Sequence, residues 1–281
     1  MREITADAIR MKVKELFLQA SYFIGDDVQE ALKESYKREA SETGRSVLKM
    51  IIENNEIAAK ENIAICQDTG MSVLFVELGQ EVRIVGGEYV DAINKGVEEA
   101  YSEGYLRKSV VDDPVIKRKN TNTNTPTIIY TDIVPGEKMK LIVCPKGFGS
   151  ENMSTLGMMT PADGVEGIIN FVVETVRRAG PNPCPPTIIG VGIGGTSDKV
   201  MVNAKKAITR KLNEHNPDNR YADMEKEMLK RINNLGIGPS GLGGKTTSLA
   251  VHINQMPTHI AGMPVGVNVC CHAARHAEGE V

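Results

Sequence analysis

The sequence predicts an α+β protein with a helical N-terminal layer, residues 1–62, followed by a mixed α/β core, residues 63–281. Three observations predict it. Apolar residues recur at spacings of three and four through residues 5–60, the period of an amphipathic helix. Beyond residue 70, short runs rich in Val, Ile and Leu take over, bounded by turn-forming residues as strands are. These runs then alternate with helical stretches, and no repeat or long low-complexity linker interrupts them, so residues 1–281 are expected to form one domain.

Taken in order, TADAIRMKVKELFLQASYF, DDVQEALKESY and GRSVLKMIIENNEIAAKEN read as helices, with Asp26 as the N-cap of the second. SVLFVEL and EVRIVG read as strands, and EYVDAINKGVEEAYSEG as a helix. The polar run KNTNTNTPT, residues 119–127, marks a turn-rich break before TIIYTDIV and KMKLIVC, a strand pair joined near Pro135 and Gly136. KGFGSENMSTLGMMTPADG, residues 146–164, is too long for a simple connection and is a candidate site loop. Helix VEGIINFVVETVRRAG, strand TIIGVGIGG, helices SDKVMVNAKKAITRKL and RYADMEKEMLKRINNLG, and the strand-like TSLAVHINQ and MPVGVNVCCHAARH complete the chain.

Composition narrows the function. With 41% hydrophobic residues the chain has material for a sizeable core. Its 33 Lys and Arg nearly balance 36 Asp and Glu, and no basic run suggests nucleic-acid binding, so attraction for an anionic ligand must be local. No apolar run reaches the roughly 20 residues of a membrane span, and acids interrupt the N-terminal apolar pattern, unlike a signal or transit peptide. A cytoplasmic protein is expected. Five cysteines, Cys66, Cys144, Cys184, Cys270 and Cys271, are an odd number without a secretion signal, which points to thiol or metal chemistry rather than a disulfide framework.

Two glycine-rich segments resemble nucleotide motifs. Gly190, Gly192 and Gly195 fit G-x-G-x-x-G between a strand and a helix, which keeps an NAD(P)-binding oxidoreductase in view. Against it, the acidic residue about 20 positions on is Glu214, in a polar loop between helices rather than at the end of a strand. Glycines that let a strand and helix pack closely are the plainer reading. GIGPSGLGGKTT resembles a P-loop, but the register puts Pro239 where the first glycine belongs.

The cysteine neighbourhoods carry more. CQDTG places a thiol, an amide, a carboxylate and a hydroxyl together around Cys66; Cys184 is stiffened by prolines in NPCPP; Cys271 heads CHAARH, with Arg275 and His276 close behind. No C-x-x-C zinc pattern is present. Cys144 ends an apolar strand and reads as core, and if GVNVCC is a strand, Cys270 and Cys271 face opposite ways. His252, alternating with apolar residues, reads as structural, and no role falls to His272 or His276.

Together CQDTG, Arg107 in YLRKSVV, the NTNT run, KGFGSENMS, NPCPPTIIGVGIGGTSD, LGIGPSGLGGKTT and CHAARH resemble the class I fumarase and tartrate dehydratase family, in particular the α subunit of its two-subunit members. The resemblance implies a fold built around a 4Fe-4S cluster held by Cys66, Cys184 and Cys271, the last chosen over Cys270 because it falls at the family's C-x-A-x-R position. It also implies substrate contacts from Gln67, Arg107 and the backbone near Gly149, and acid/base work by Asp68 and His259. The implied activity is reversible hydration of fumarate to (S)-malate, with a tartrate or mesaconate-type dehydratase as the alternative. Because the chain stops at Val281, ten residues after Cys271, the family's smaller β domain is expected on a separate β subunit, in a higher oligomer of α–β pairs.

Overall fold

The computed structural model describes residues 1–281, which divide into two compact units: Met1–Ile24, Asn55–Phe148 and Arg275–Val281 form the first, Gly25–Asn54 and Gly149–Ala274 the second. The chain is α+β, as its periodicity predicts. No helix is long and apolar enough to cross a membrane.

In the first unit, α1 (Ala6–Tyr22) starts at Thr5, whose side chain accepts a hydrogen bond from Ala8 N. It packs along α4 (Tyr89–Glu103), and Gly96 makes the close crossing possible, because a Cβ there would lie 2.5 Å from the Arg10 carbonyl. Both helices bury Ile9, Val13, Phe17, Ile93 and Tyr101 in one core. The opposing sheet has the order β10-β5-β2-β4, built from β2 (Met71–Gly79), β4 (Ile128–Val134), β5 (Met139–Lys146) and β10 (Ala277–Glu280). A small parallel ladder joins β1 (Arg2–Thr5) and β3 (Val82–Val85).

The expected pairing of β4 with β5 does not form. β2 lies between them, parallel to β4 and antiparallel to β5. The connection at 135–138 spans this central strand, and its carbonyls at Gly136 and Lys138 accept from Glu81 N and Gly79 N at the end of β2. Four residues reach about 13 Å, enough to cross the roughly 10 Å between the two flanking strands.

The second unit holds α2 (Asp26–Arg38), much of α3 (Glu42–Glu61), and a sheet of order β6-β9-β7-β8. Its strands are β6 (Thr155–Met159), β7 (Thr187–Gly195), β8 (Ser248–Thr258) and β9 (Met263–Cys270). Helices α6 (Gly164–Ala179) and α8 (Asn219–Asn233) cover one face, α7 (Ser197–Ala207) the other. β7 explains the division: Ile189, Val191 and Ile193 enter the core under α6 and α8, whereas Gly190 and Gly192 face α7. A Cβ on Gly190 would lie 2.0 Å from the Ala204 carbonyl, and one on Gly192 2.1 Å from that of Val200. The dinucleotide-like glycines are thus helix-packing residues inside a strand.

Several local readings change. Gly25, not Asp26, caps α2, and Asp26 is its first helical residue. The segment 146–164 is not an open loop: it contains the short α5 (Phe148–Glu151), the edge strand β6 and a 3-10 turn at Pro161–Asp163. β9 ends at Cys270, so Cys271 begins the irregular segment that precedes β10.

Candidate active site

The first unit gathers motifs from across the chain at one end of its sheet. β2 begins just after CQDTG, β4 just after KNTNTNTPT, β10 just after Arg275, and β5 ends at Lys146, the partner of Met71. Gly70, at φ +78°, lets the loop turn directly beside β5, because a Cβ there would be 2.7 Å from the Lys146 backbone.

The loop 66–70 is held through Asp68, Thr69 and Gly70. Asp68 Oδ1 accepts from Gly70 N at 3.0 Å and Oδ2 from Phe148 N at 2.9 Å. Arg275, only 3% exposed, donates from Nη1 to the Asp68 carbonyl at 2.5 Å, and its Nε is buried without a partner. Thr69 Oγ1 donates to the Arg107 carbonyl at 2.5 Å. Tyr101 OH donates to the Thr69 carbonyl at 2.7 Å, and burial pushes this phenol up to about 12, so it remains a donor at any working pH. Asn124, fully buried at φ +59°, donates to the Gly70 carbonyl at 3.1 Å and accepts from Ser109 N at 2.8 Å. What this scaffolding leaves outward is selective. Gln67 and Arg107 are exposed, and the Arg107 guanidinium has no internal partner, while Cys66 is half-buried with Sγ 3.6 Å from Gln67 Oε1.

In the second unit, α6 ends at Gly180 (φ +55°) and the chain turns through Pro181–Cys184, with Cys184 N donating to the Pro181 carbonyl at 3.0 Å. Cys184 sits at φ +53°, a left-handed conformation that is unfavourable for a residue with a Cβ, and its side chain is exposed. His272 N donates to the Cys184 carbonyl at 3.3 Å, so the segments carrying Cys184 and Cys271 are neighbours. Cys144 and Cys270 are buried in strands at 3% and 7% exposure.

Gly149 is exposed in α5, two residues before Glu151, whose carboxylate accepts from Lys205 Nζ and, at 3.1 Å, from Asn268 Nδ2. Asn268 also donates to Ser154 Oγ at 3.0 Å, which fastens this segment to β9. His259 lies elsewhere: it is exposed in the turn between β8 and β9, where Nδ1 accepts from Ala261 N at 3.1 Å. That turn is at the opposite end of the eight-residue β9 from Cys271, about 25 Å along the strand. The unit therefore brings Cys184 and Cys271 together but not His259.

Neither unit by itself gathers three His, Cys, Asp or Glu side chains into a metal-holding group. The donor chemistry nevertheless suits a soft metal centre: no disulfide joins any of the five cysteines, and Cys66, Cys184 and Cys271 are the three not buried in strands. Sequence reasoning gave no role to Tyr101, Asn124 or Glu151. Asn124 lay within the quoted NTNT run and Arg275 within CHAARH, but Tyr101 carried no signal beyond its helical spacing.

The sequence profile of the family described as fumarate hydratase (fumerase) matches residues 10–280. The chain belongs to this family of hydro-lyases. Among curated relatives, "Putative L(+)-tartrate dehydratase subunit alpha" of Methanocaldococcus jannaschii is 44% identical over 269 residues, covering 94% of each chain. "L(+)-tartrate dehydratase subunit alpha" of Escherichia coli strain UTI89 is 33% identical over 253 residues, covering 89% of this chain and 83% of the relative. The protein of the same name from E. coli K12 is 31% identical over 252 residues, with the same coverage.

Proposed function

We propose that this chain is the α subunit of a two-chain 4Fe-4S hydro-lyase that reversibly hydrates a small dicarboxylate, fumarate, to (S)-malate. The observation that carries the reading is the rigidly held 66–70 loop, which leaves Cys66, Gln67 and the neighbouring Arg107 outward while its backbone is fastened inward. Family membership across residues 10–280 supports the reaction class. Cys66, Cys184 and Cys271, none of them in a disulfide, would hold the cluster. When bound, a cluster with one iron lacking a protein ligand supplies a Lewis acid for carboxylate and hydroxyl oxygens.

The remaining chemistry belongs to the chain's own residues. Arg107 offers a planar fork to one substrate carboxylate, and Gln67 and the Gly149 N–H offer neutral donors that orient the rest. Asp68 carries the hydroxyl-side proton, its carboxylate aimed by the N–H groups of Gly70 and Phe148. His259 is assigned to the same acid/base work. Its position at the far end of β9 from Cys271 supports delivery to the site of a second copy, and hence an oligomer of α–β pairs. The relatives' names support a separate β subunit, to which we assign the water-excluding second wall and the group that takes the carbon-bound proton.

A second reading, an L-tartrate dehydratase subunit, is favoured by the same names. A methyl group shifts pocket binding by only about 1–3 kcal/mol, and fumarate, tartrate and methyl-branched substrates share the same two carboxylates, so kinetics must decide. The chain should be reconstituted anaerobically with its β subunit and assayed on fumarate, (S)-malate, L-tartrate and mesaconate. A higher kcat/KM for fumarate supports the first reading, the reverse ranking transfers the assignment to tartrate, and no turnover on any of them overturns both. Cys66→Ser, Cys184→Ser and Cys271→Ser should each lose iron and sulfide, whereas Cys144→Ser and Cys270→Ser keep them. Mixing Cys184→Ser chains with His259→Asn chains should restore part of the activity each lacks; no restoration in a verified mixed oligomer removes His259 from the neighbouring site.

A further inference from the structure

The P-loop-like segment 236–247 is already filled, by the chain itself. Positive φ angles at Gly236, Gly238, Ser240, Gly241, Gly243 and Gly244 curl its backbone into an N–H-lined hollow of the kind that cradles anions. Inside lies the carboxylate of Glu39, 4% exposed. Lys245 N donates to its two oxygens at 3.0 and 2.9 Å, Thr246 N to Oε2 at 2.9 Å, and Ser41 N to Oε1 at 3.1 Å. Gly244 leaves the room, since a Cβ there would sit 2.9 Å from the carboxylate. Burial pushes the Glu39 carboxyl up, but the converging N–H groups outweigh it and hold the group below the usual carboxylate range.

The other side of the same loop grips the turn that carries Cys184. Ser240 N donates to the Pro185 carbonyl at 2.8 Å. Gly241 packs so tightly on Pro181 that a Cβ would come within 2.3 Å of the proline's Cβ. Thr247 closes the contact by accepting at its carbonyl from Thr187 N at 2.9 Å. The two ends of the Cys184 turn are therefore held by a loop whose own shape depends on one buried carboxylate.

We propose that Glu39 is a positioning residue for Cys184, acting through the 236–247 loop to keep the cysteine backbone in its left-handed, outward conformation. This rests on the reading of Cys184 as a cluster ligand, and the experiment separates the two. In cluster-free chain, Glu39→Gln keeps the side-chain size but removes one acceptor oxygen and the charge. Amide hydrogen exchange read by mass spectrometry should rise about tenfold in peptides covering 181–187, with 188–194 of β7 unchanged. In the reconstituted holoenzyme, iron release to a chelator should accelerate by a similar factor. A uniform rise across the second unit, or no rise at 181–187, would overturn the proposal. Gly241→Ala, which forces the loop off Pro181 and leaves Glu39 in place, should give the same local signature and carries the test alone if Glu39→Gln does not fold. If exchange rises at 181–187 while Cys184→Ser retains full iron, the clamp stands and the cluster assignment fails.

Discussion

His252 sets a measurable acid limit on the second unit. It lies on β8 at 1% exposure, with Nδ1 3.2 Å from the Ala207 carbonyl and Nε2 buried without a partner. Burial, reinforced by the Arg210 and His215 charges and only partly opposed by the hydrogen bond to the Ala207 carbonyl and by Asp27, lowers the ring from its ordinary 6.5 to about 4. The folded chain thus refuses a proton that the unfolded chain accepts between pH 6.5 and about 4. Stability is complete above this window, falls as pH drops through it, and stops falling below it. The gap is worth roughly 3 kcal/mol in all, most of it lost by pH 4.5. His252→Asn removes the titration while keeping a donor near Ala207. Urea unfolding of the cluster-free chain, followed by circular dichroism at pH 7.5 and 4.5, should show a pH-dependent loss smaller by roughly 2–3 kcal/mol in the variant. Equal losses in the two proteins would refute a neutral, buried His252.

Three further outcomes are expected. Arg107→Lys keeps the charge but loses the fork, and should lower kcat/KM by roughly 2 kcal/mol with an unchanged cluster absorbance spectrum; an unchanged kcat/KM returns Arg107 to solvent. Gly190→Ala should cost about 3 kcal/mol or more in urea unfolding, because its Cβ would meet the Ala204 carbonyl at 2.0 Å and backbone cannot step aside cheaply. Arg275→Met removes a buried charged donor from the Asp68 carbonyl and should cost about 2 kcal/mol of stability, with kcat falling further than the thermal shift alone explains.

Much of this was legible in the sequence because it is local. Helical spacing located α1, α2 and α3, and the glycines of TIIGVGIGG already suggested close strand–helix packing. Strand neighbours were not legible: TIIYTDIV and KMKLIVC are adjacent in sequence, yet β2 separates them, since pairing is chosen by the whole sheet rather than by the connecting turn. β6 and β10 were missed as well, being five- and four-residue edge strands whose residues show little apolar run. At the site, the motifs named the outward residues, but the groups that hold them stayed hidden. Tyr101 reaches Thr69 across 32 positions and Glu39 reaches Thr246 across 207, and no periodicity within one segment reports such contacts.

The sheet of the first unit is polar in its layout: every motif-bearing segment meets it at one end, and the plain turns at 80–81 and 135–138 occupy the other. The nine residues of β2 separate the two by about 30 Å. Gly136, at φ +106° with nothing within 4 Å of its would-be Cβ, stands at the quiet end. A fluorophore or short epitope inserted there would report on encounter with other chains while remaining a full strand's length from the CQDTG loop. The fold thus provides its own attachment point for following assembly in real time.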